Sequence, residues 1–287
     1  MRAHLHPDAA SFLERTMTLR TREPYLTNVM GSVASSLAQG IRAYERASFW
    51  TIEDDDAIIQ GMMMRTAPHN LTLSPMPRDA IATAVSAVMK DDPDVPGVTG
   101  PREVTGAFVH DFVAASGLTR SAELERDMYL YVLNTLRAPE PGAGGPRQGT
   151  ADDFPLLLAW WSGFARDTAV STHGLDASVR ELLSEGRVFV WIHNEQPVCA
   201  VAHSATVATP AGSVVRVGPV YTPDAERRRG YASQLTAAVS KRLVNQGHTP
   251  MLFTDAANPT SNGVYARLGY EKVDQVVEYT LARTDPT

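Results

Sequence analysis

The stretch of this sequence best suited to chemistry is residues 227–232, Arg-Arg-Arg-Gly-Tyr-Ala. It follows an extended apolar segment at residues 213–221 and precedes a segment whose apolar residues recur at helical spacing. A strand, a short loop and a helix start direct several free main-chain N–H groups at one spot, at the positive end of the helix dipole. Gly230 has no Cβ to hold a ligand away, and the arginines add positive charge. The segment therefore predicts a pyrophosphate site; the plainer alternative is a solvated run of arginines.

Two common phosphate-binding motifs do not fit this segment. A P-loop needs Gly-Lys-Ser/Thr, which does not follow. A dinucleotide-binding fingerprint needs three glycines at Gly-x-Gly-x-x-Gly, and only Gly230 is present here. The phosphate hypothesis therefore depends on the residues that come next.

A second polar group follows a short apolar strand candidate at residues 250–255. Asn258 and Pro259 predict a helix start, with an N-cap side chain and a proline at the first helical position. Gly269 is placed to end that helix as its C′ residue. Asn262 and Tyr265 are three residues apart, so they share one helix face.

In this order and at these distances, the motifs in roughly residues 150–283 resemble the GNAT family of acyl-CoA-dependent N-acyltransferases. The resemblance rests on Arg227-x-x-Gly230-x-Ala232, on residues 258–262, and on residues 265–270 (Tyr-Ala-Arg-Leu-Gly-Tyr). It implies an α+β, GNAT-like fold with a mixed, mainly antiparallel central sheet flanked by helices. Position 232 holds alanine where the family also often has glycine, which its pattern tolerates.

The resemblance also implies the co-substrate and the residues that bind it. Acetyl-CoA would be consumed and coenzyme A released. The pyrophosphate would bind residues 227–233, the pantetheine arm would pair with residues 220–222 like an added strand, and Tyr265 would be the catalytic residue that protonates the departing thiolate. The implied coenzyme-binding residues are Val220, Tyr221, Thr222, Arg227, Arg228, Arg229, Gly230, Tyr231, Ala232, Ser233, Asn258 and Asn262.

The sequence thus predicts an N-acetyltransferase in which an amine of a small molecule or peptide attacks acetyl-CoA directly in a ternary complex. The alternative from another class is a non-catalytic acyl-CoA-binding sensor or interaction protein. The alternative for Tyr265 is a buried structural tyrosine whose hydroxyl is satisfied by the protein. The general base stays open, with His203 and Asp255 as candidates, and so do the acceptor amine, the acyl chain length and the oligomeric state.

Composition excludes several other classes of protein. The chain has 287 residues, of which 44% are hydrophobic and 20% charged, and its net charge is −6, which argues against a generic nucleic-acid binder. No apolar stretch has the length of a membrane span, and the N-terminus lacks the apolar core of a secretory signal. The single cysteine, Cys199, cannot form an internal disulfide, so we expect a cytoplasmic protein. No histidines, cysteines or carboxylates stand at metal-ligand spacing, and no metal site is expected.

Residues 138–149 are rich in proline and glycine and predict a linker. It would separate an N-terminal α/β domain, residues 1–137, from an acetyltransferase domain, residues 150–287. A similar order of helices and strands is predicted on both sides, although no direct sequence repeat is visible. Residues 74–78, Ser-Pro-Met-Pro-Arg, have no glycine loop. The first half is therefore expected to be either a degenerate GNAT-like copy without a coenzyme site or an unrelated α+β domain.

Overall fold

The computed structural model describes residues 1–117, 119–168 and 170–284. In the first half, the chain forms a strand, three helices, three strands, a helix, a strand, a helix and a long strand. These elements are β1 (Arg2–Leu5), α1 (Ala9–Arg15), α2 (Met17–Arg22), α3 (Asn28–Ala38), β2 (Ala47–Glu53), β3 (Ile59–Thr66), β4 (Leu71–Leu73), α4 (Arg78–Asp91), β5 (Gly97–Pro101), α5 (Arg102–Ala115) and β6 (Arg120–Leu133).

The second half has two helices near its start, then four consecutive strands, and then a helix, a strand, a helix and a final strand. Its elements are β7 (Gly145–Gln148), a 3-10 turn (Ala151–Asp153), α6 (Phe154–Thr168), α7 (Leu175–Ser184), β8 (Val188–His193), β9 (Gln196–His203), β10 (Val207–Thr209), β11 (Gly212–Tyr221), a second 3-10 turn (Asp224–Glu226), α8 (Tyr231–Asn245), β12 (His248–Asp255), α9 (Pro259–Arg267) and β13 (Tyr270–Arg283).

The fold is α+β with a mainly antiparallel sheet, which confirms the predicted class. The strands follow the order β1-β2-β3-β4-β5-β13-β6-β12-β11-β9-β8-β7, and β10 pairs with β11 at the side. Within the described residues only β4–β5 and β11–β12 pair in parallel. A helix crosses over between the strands of each parallel pair, α4 in the first half and α8 in the second. This shared order supports the hypothesis of a duplication.

The last strand of each half, β6 and β13, lies at the centre of the sheet, between the other strands of the first half and those of the second. The strand β6 ends the first half but pairs with β12, from Val132 opposite Met251 to Met128 opposite Asp255. The strand β13 ends the second half but pairs with β5 as well as with β6. The sheet therefore runs without a break through both halves. The division at residues 138–149 stays a prediction, and residues 285–287 of the second predicted domain lie outside the described residues.

Three strands have no counterpart in the sequence-based expectations. They are β1, β7 and β10, and β7 lies inside the predicted linker. The residues of β1 are exposed, and those of β7 are exposed except for half-buried Gly145. Neither strand has the apolar alternation that identifies a strand from sequence, so only pairing with β2 and β8 reveals them. The sequence also predicts a helix over residues 151–170, and one residue of that range, Ala169, lies outside the described residues.

Alternation along β9 divides the core of the second half into two layers. Cys199 and Val201 belong to an apolar cluster beneath α8, together with Val215 and Val217 of β11. Ala200 and Ala202 belong to a cluster on the other face, beneath α6 and α7. Successive strand residues point to opposite faces, so α8 and the α6–α7 pair cover opposite sides of the same strands.

Replacing Gly269 with alanine should destabilise the protein strongly. Gly269 follows α9 with a φ of +93°, and an added Cβ would overlap the main-chain carbonyl oxygen of Thr135. We expect a loss of about 3 kcal/mol or more in the free energy of unfolding, measured by urea denaturation. The matched control is Gly40→Ala, because Gly40 follows α3 with a φ of +68° and open space around it, and should cost about 1 kcal/mol. Equal losses in the two variants would contradict the predicted clash.

Candidate functional site

The parallel strands β11 and β12 separate part of the way along their length. They pair from Ser213 opposite His248 to Arg216 opposite Met251. Beyond that point β12 continues beside β6, while β11 continues beside β9 with a register shift between Val217 and Val220. The edge of β11 that faces β12 therefore has no strand partner from Val217 to Tyr221 within the described residues. An unpaired strand edge can accept an extended ligand as an added strand.

The loop that leaves β11 leads directly to the start of α8. Its N-cap is Gly230, which has a φ of +81° and no heavy atom within 4 Å of the position that a Cβ would take. The first main-chain N–H to bond back into the helix is that of Gln234, which donates to the Gly230 carbonyl over 3.0 Å. The main-chain N–H groups of residues 228–233 have no acceptor within the part of the chain that the structure describes. Six consecutive donors at the positive end of a helix form an anion-binding arrangement.

The arginines of this loop are less free than the sequence indicates. Arg227 donates to the Thr222 carbonyl over 3.0 Å and pairs with Asp167 at 2.8 Å and Asp224 at 3.0 Å. Arg229 pairs with Glu226 at 3.1 Å. Arg228, with a φ of +65°, has no carboxylate partner among the described residues. The predicted mobile positive charge is thus reduced to one unpaired arginine, and the main-chain donors are the larger part of the site.

Other predicted coenzyme-binding residues meet at the end of β11. Val220 and Ala232 both pack against the apolar cluster in which Tyr231 is buried, so this cluster joins the strand end to the helix start. The ring of Tyr221 lies 5.8 Å from the Arg227 guanidinium. Ser233 is half-buried in the first turn of α8.

The two asparagines of the second motif have different environments. Asn258 is the N-cap of α9, as predicted, and its side chain accepts the Ser261 N–H over 3.0 Å. Asn262 donates its side-chain amide to the carbonyl oxygens of Asp255 and Ala256. The Oδ1 atom of Asn262 is buried without a hydrogen-bond partner in the described residues. Asn262 therefore has a free acceptor, whereas the Asn258 oxygen caps its own helix.

Tyr265 lies on α9 against an apolar cluster that includes Leu252 of β12 and Ala237 of α8. Its ring meets the ring of Tyr270 edge to face, with centroids 6.0 Å apart. Burial raises the pKa of Tyr265 to about 12, and the thiol of Cys199 adds a smaller effect in the same direction. The hydroxyl makes no hydrogen bond within the described residues. Tyr265 therefore carries a proton at neutral pH and has a free donor.

Cys199 is buried, as expected of a core residue, but it also lies beside the predicted site. The hydroxyl of Thr222, at the end of the unpaired strand edge, donates to its sulfur over 3.3 Å. Burial raises the pKa of the Cys199 thiol to about 12, so it stays protonated. This contact could not be predicted from the sequence, because the two residues are 23 positions apart.

The two candidate bases are also distinguished by their contacts. Asp255 accepts the Ala257 N–H over 2.7 Å and so stabilises the turn into α9. His203 holds its Nδ1 atom 2.9 Å from the Ser204 carbonyl, which makes Nδ1 the donor and leaves Nε2 as an acceptor. Burial lowers the pKa of His203, so its ring is neutral at pH 7. Of the two, His203 keeps an atom that can accept a proton.

The corresponding loop in the first half has a different character. Between β4 and α4 it carries Pro75 and Pro77, which have no main-chain N–H to offer an anion. Pro77 is also the N-cap of α4, without a side-chain cap. This loop therefore offers fewer main-chain donors than residues 228–233 do.

Within residues 1–117, 119–168 and 170–284, no helix combines the length and apolar character needed to cross a bilayer. No group of three or more His, Cys, Asp or Glu side chains in the same ranges could hold a metal ion.

Comparison with known proteins relates this geometry to one fold. Residues 205–279 match the family model described as FR47-like protein. An acetyltransferase of the GNAT family from Colwellia psychrerythraea superposes with a TM-score of 0.62 at 12% identity, covering 98% of this chain and 100% of its own. A tandem GNAT protein from the clavulanic acid biosynthesis pathway gives a TM-score of 0.61 at 14% identity, with both chains covered completely.

A GCN5-related N-acetyltransferase from Sphaerobacter thermophilus gives a TM-score of 0.61 at 12% identity, with 99% of this chain and 96% of the other covered. Comparison with curated proteins gives no match. At such low identities the superpositions establish the fold alone. The chain therefore has the fold of the GNAT acetyltransferases, including that of a tandem member, and its second half contains an FR47-like segment.

Proposed function

We propose that this protein is an N-acetyltransferase that transfers the acetyl group of acetyl-CoA to an amine. The observation that carries the proposal is the set of six unpaired main-chain N–H groups at residues 228–233, next to the unpaired edge of β11. A diphosphate needs several donors at one place, and a helix start supplies them without further positive side chains. The GNAT fold supports the same assignment.

The described residues fit the rest of the coenzyme as well. Five residues of extended strand, from Val217 to Tyr221, span about 17 Å, which suits an extended pantetheine arm. The arm carries amide groups that need both donors and acceptors, and the strand edge offers both. The partnerless Oδ1 atom of Asn262 is a further acceptor for an amide N–H. We assign Asn258 a supporting role, because its oxygen already caps α9.

Acetyl-CoA supplies the acyl group as an activated thioester. In the proposed reaction the amine nitrogen bonds to the acetyl carbon, the carbon–sulfur bond breaks, and the proton that the amine loses ends on the departing thiol. A main-chain N–H of the unpaired β11 edge would donate to the carbonyl oxygen as it gains negative charge, an effect worth about 3 kcal/mol per donor.

The reaction needs one residue to take a proton from the amine and one to give a proton to the leaving thiolate. An amine with a pKa near 10.4 is almost entirely protonated at neutral pH, so the site must bind the free base or remove the proton. We assign Tyr265 to the leaving thiolate, because its hydroxyl is protonated and has no other acceptor. We assign the proton of the amine to His203. Of the two candidate bases, His203 is the one with an acceptor atom, Nε2, that is not already hydrogen-bonded within the described residues.

The decisive experiment combines binding with turnover. We expect titration calorimetry to detect acetyl-CoA, and a free-thiol assay over a panel of small amines and peptides to detect release of coenzyme A. Absence of acetyl-CoA binding would remove the proposed site. Binding without thiol release on any amine would favour the alternative, an acyl-CoA-binding sensor. Cytoplasmic localisation stays a prediction.

A further inference from the structure

A polar cleft lies on the face of the sheet opposite α8, between the two halves of the chain. It has a volume of about 170 Å³. We call it the arginine cleft. The residues that define it are Arg42, Glu181, Arg187, His203, Arg216 and Gly218.

The arginine cleft has more positive than negative charge. Glu181 is shared by two arginines, because Oε2 accepts from Arg42 at 2.7 Å and Oε1 accepts from Arg187 at 2.7 Å. Nε of Arg187 is buried and has no partner in the described residues. His203 is neutral, so it neither offsets nor adds to the charge. Three guanidinium groups therefore face a single carboxylate.

Arg216 is the arginine without a compensating charge. The one hydrogen bond that its side chain makes within the described residues runs from Nη1 to Oδ1 of Asn28, over 3.1 Å. Burial, with the nearby Arg42 and Arg187, lowers the pKa of Arg216 to about 10, which leaves it protonated at neutral pH. A half-buried, planar guanidinium with free donors is suited to a carboxylate or a phosphate.

The arginine cleft adjoins the point where β11 and β12 separate. Arg216 is the last residue of β11 that pairs with β12, and Gly218 follows within the unpaired segment. Val215 and Val217 belong to the cluster beneath α8, so Arg216 and Gly218 face the other side of the sheet. A pantetheine arm that runs back from residues 228–233 along the unpaired edge ends beside this point. An acceptor held in the arginine cleft would meet the thioester from the opposite face.

We propose that the arginine cleft is the acceptor subsite, and that it selects small amines carrying a carboxylate or phosphate group, which Arg216 binds. This inference rests on the proposed function, because it places the acceptor beside the acetyl donor. The guanidinium-bearing residues Arg42 and Arg187 line the same cleft, so the anionic end of the acceptor meets positive charge. Acceptors whose anion is amidated or replaced by a hydroxyl lose the first interaction.

The test uses the full-length protein and paired probes that differ only in the anion. The pairs are each L-amino acid with its carboxamide, and O-phosphoethanolamine with ethanolamine. Two measurements are made on every pair: binding by thermal shift and calorimetry without acetyl-CoA, and kcat/KM by thiol release with it. We expect the anionic member of at least one pair to bind more tightly and to react about 100-fold faster than its neutral counterpart. The preferred pair identifies the anion as carboxylate or phosphate.

Variants separate recognition from folding. In Arg216→Gln, KM for the anionic acceptor should rise about 100-fold, with a smaller change in kcat. The KM for the neutral counterpart and the Kd for acetyl-CoA should each change less than about threefold. Arg216→Lys keeps the charge but not the planar fork, so part of the preference should remain. The matched control is Arg20→Gln, because Arg20 also lacks a carboxylate partner among the described residues but is buried and donates to the Leu13 carbonyl, away from the arginine cleft.

The outcomes distinguish the two proposals. If no anionic probe binds more tightly than its neutral partner, or if Arg216→Gln weakens every acceptor equally, the subsite is refuted even when neutral amines are acetylated. If anionic amines bind and Arg216→Gln abolishes that binding, the subsite holds even when no thiol is released, and the transferase proposal alone fails.

Discussion

Replacing Gly230 with glutamate should abolish acetyl-CoA binding while leaving the protein folded. Gly230 stands among the six main-chain donors of residues 228–233, and the space beside its missing Cβ is open. A glutamate there puts a negative charge where the diphosphate would lie, and like charges in contact cost several kcal/mol. We expect the Kd for acetyl-CoA, measured by calorimetry, to rise at least about 100-fold.

The protein should tolerate this change because two effects on stability oppose each other. A side chain at a φ of +81° costs about 1 kcal/mol, but a carboxylate at a helix N-terminus is favourable by up to a similar amount. Gly174→Glu is the matched control, since Gly174 is the N-cap of α7, has a φ of +67° and is surrounded by open space. The control should retain acetyl-CoA affinity. Unchanged affinity in a folded Gly230→Glu protein would exclude residues 228–233 as the diphosphate site.

The elements around the proposed site could be predicted because their signals are local. The helix α9 begins and ends where Asn258, Pro259 and Gly269 place its boundaries, and α8 begins directly after Gly230. Caps and helical periodicity act within a few residues, so they can be read from one segment of sequence. The same reasoning fails for β6: the sequence predicts a strand at residues 124–136 that closes the sheet of its own half, but β6 pairs with β12 of the other half. Its apolar pattern identifies a strand but not the neighbour that it pairs with, and β12 lies more than 100 positions away.

The charges of the site could be predicted only in part. The pairing of Arg229 with Glu226 follows from their spacing of three, whereas Arg227 finds Asp167 through the tertiary fold. Arg216 gives no signal in sequence, because a single arginine in a strand is ordinary. Arg216 is notable only because Arg42 and Arg187 share one carboxylate, which leaves Arg216 without an acidic partner in the described part of the chain. The charge balance of a cleft depends on which segments the fold brings together, so it cannot be predicted from single segments of sequence.

Replacing Tyr265 with phenylalanine should lower kcat about 100-fold and leave acetyl-CoA affinity unchanged. The hydroxyl has no partner within the described residues, so its removal leaves no donor or acceptor unsatisfied among them. With a pKa of about 12, it is a weaker acid than a thiol with a pKa near 8.5. It should therefore stabilise the thiolate by donating a hydrogen bond and pass on its proton only as the proton from the amine replaces it. Calorimetry and thiol release on the same samples separate the two effects.

The neighbouring tyrosine provides the control, and pH provides a second test. Tyr270→Phe removes the 2.7 Å hydrogen bond to Ser240, which keeps its bond to the Thr236 carbonyl, so it should cost about 1 kcal/mol of stability without a change in kcat. A raised pKa keeps the Tyr265 hydroxyl protonated as pH rises, so the wild-type kcat should show no loss from its ionisation between pH 7 and pH 10. Wild-type turnover in Tyr265→Phe would remove its role in proton transfer. An alkaline loss of kcat near pH 9 that disappears in that variant would instead show that the hydroxyl ionises far below pH 12, and that it acts as an acid of ordinary strength.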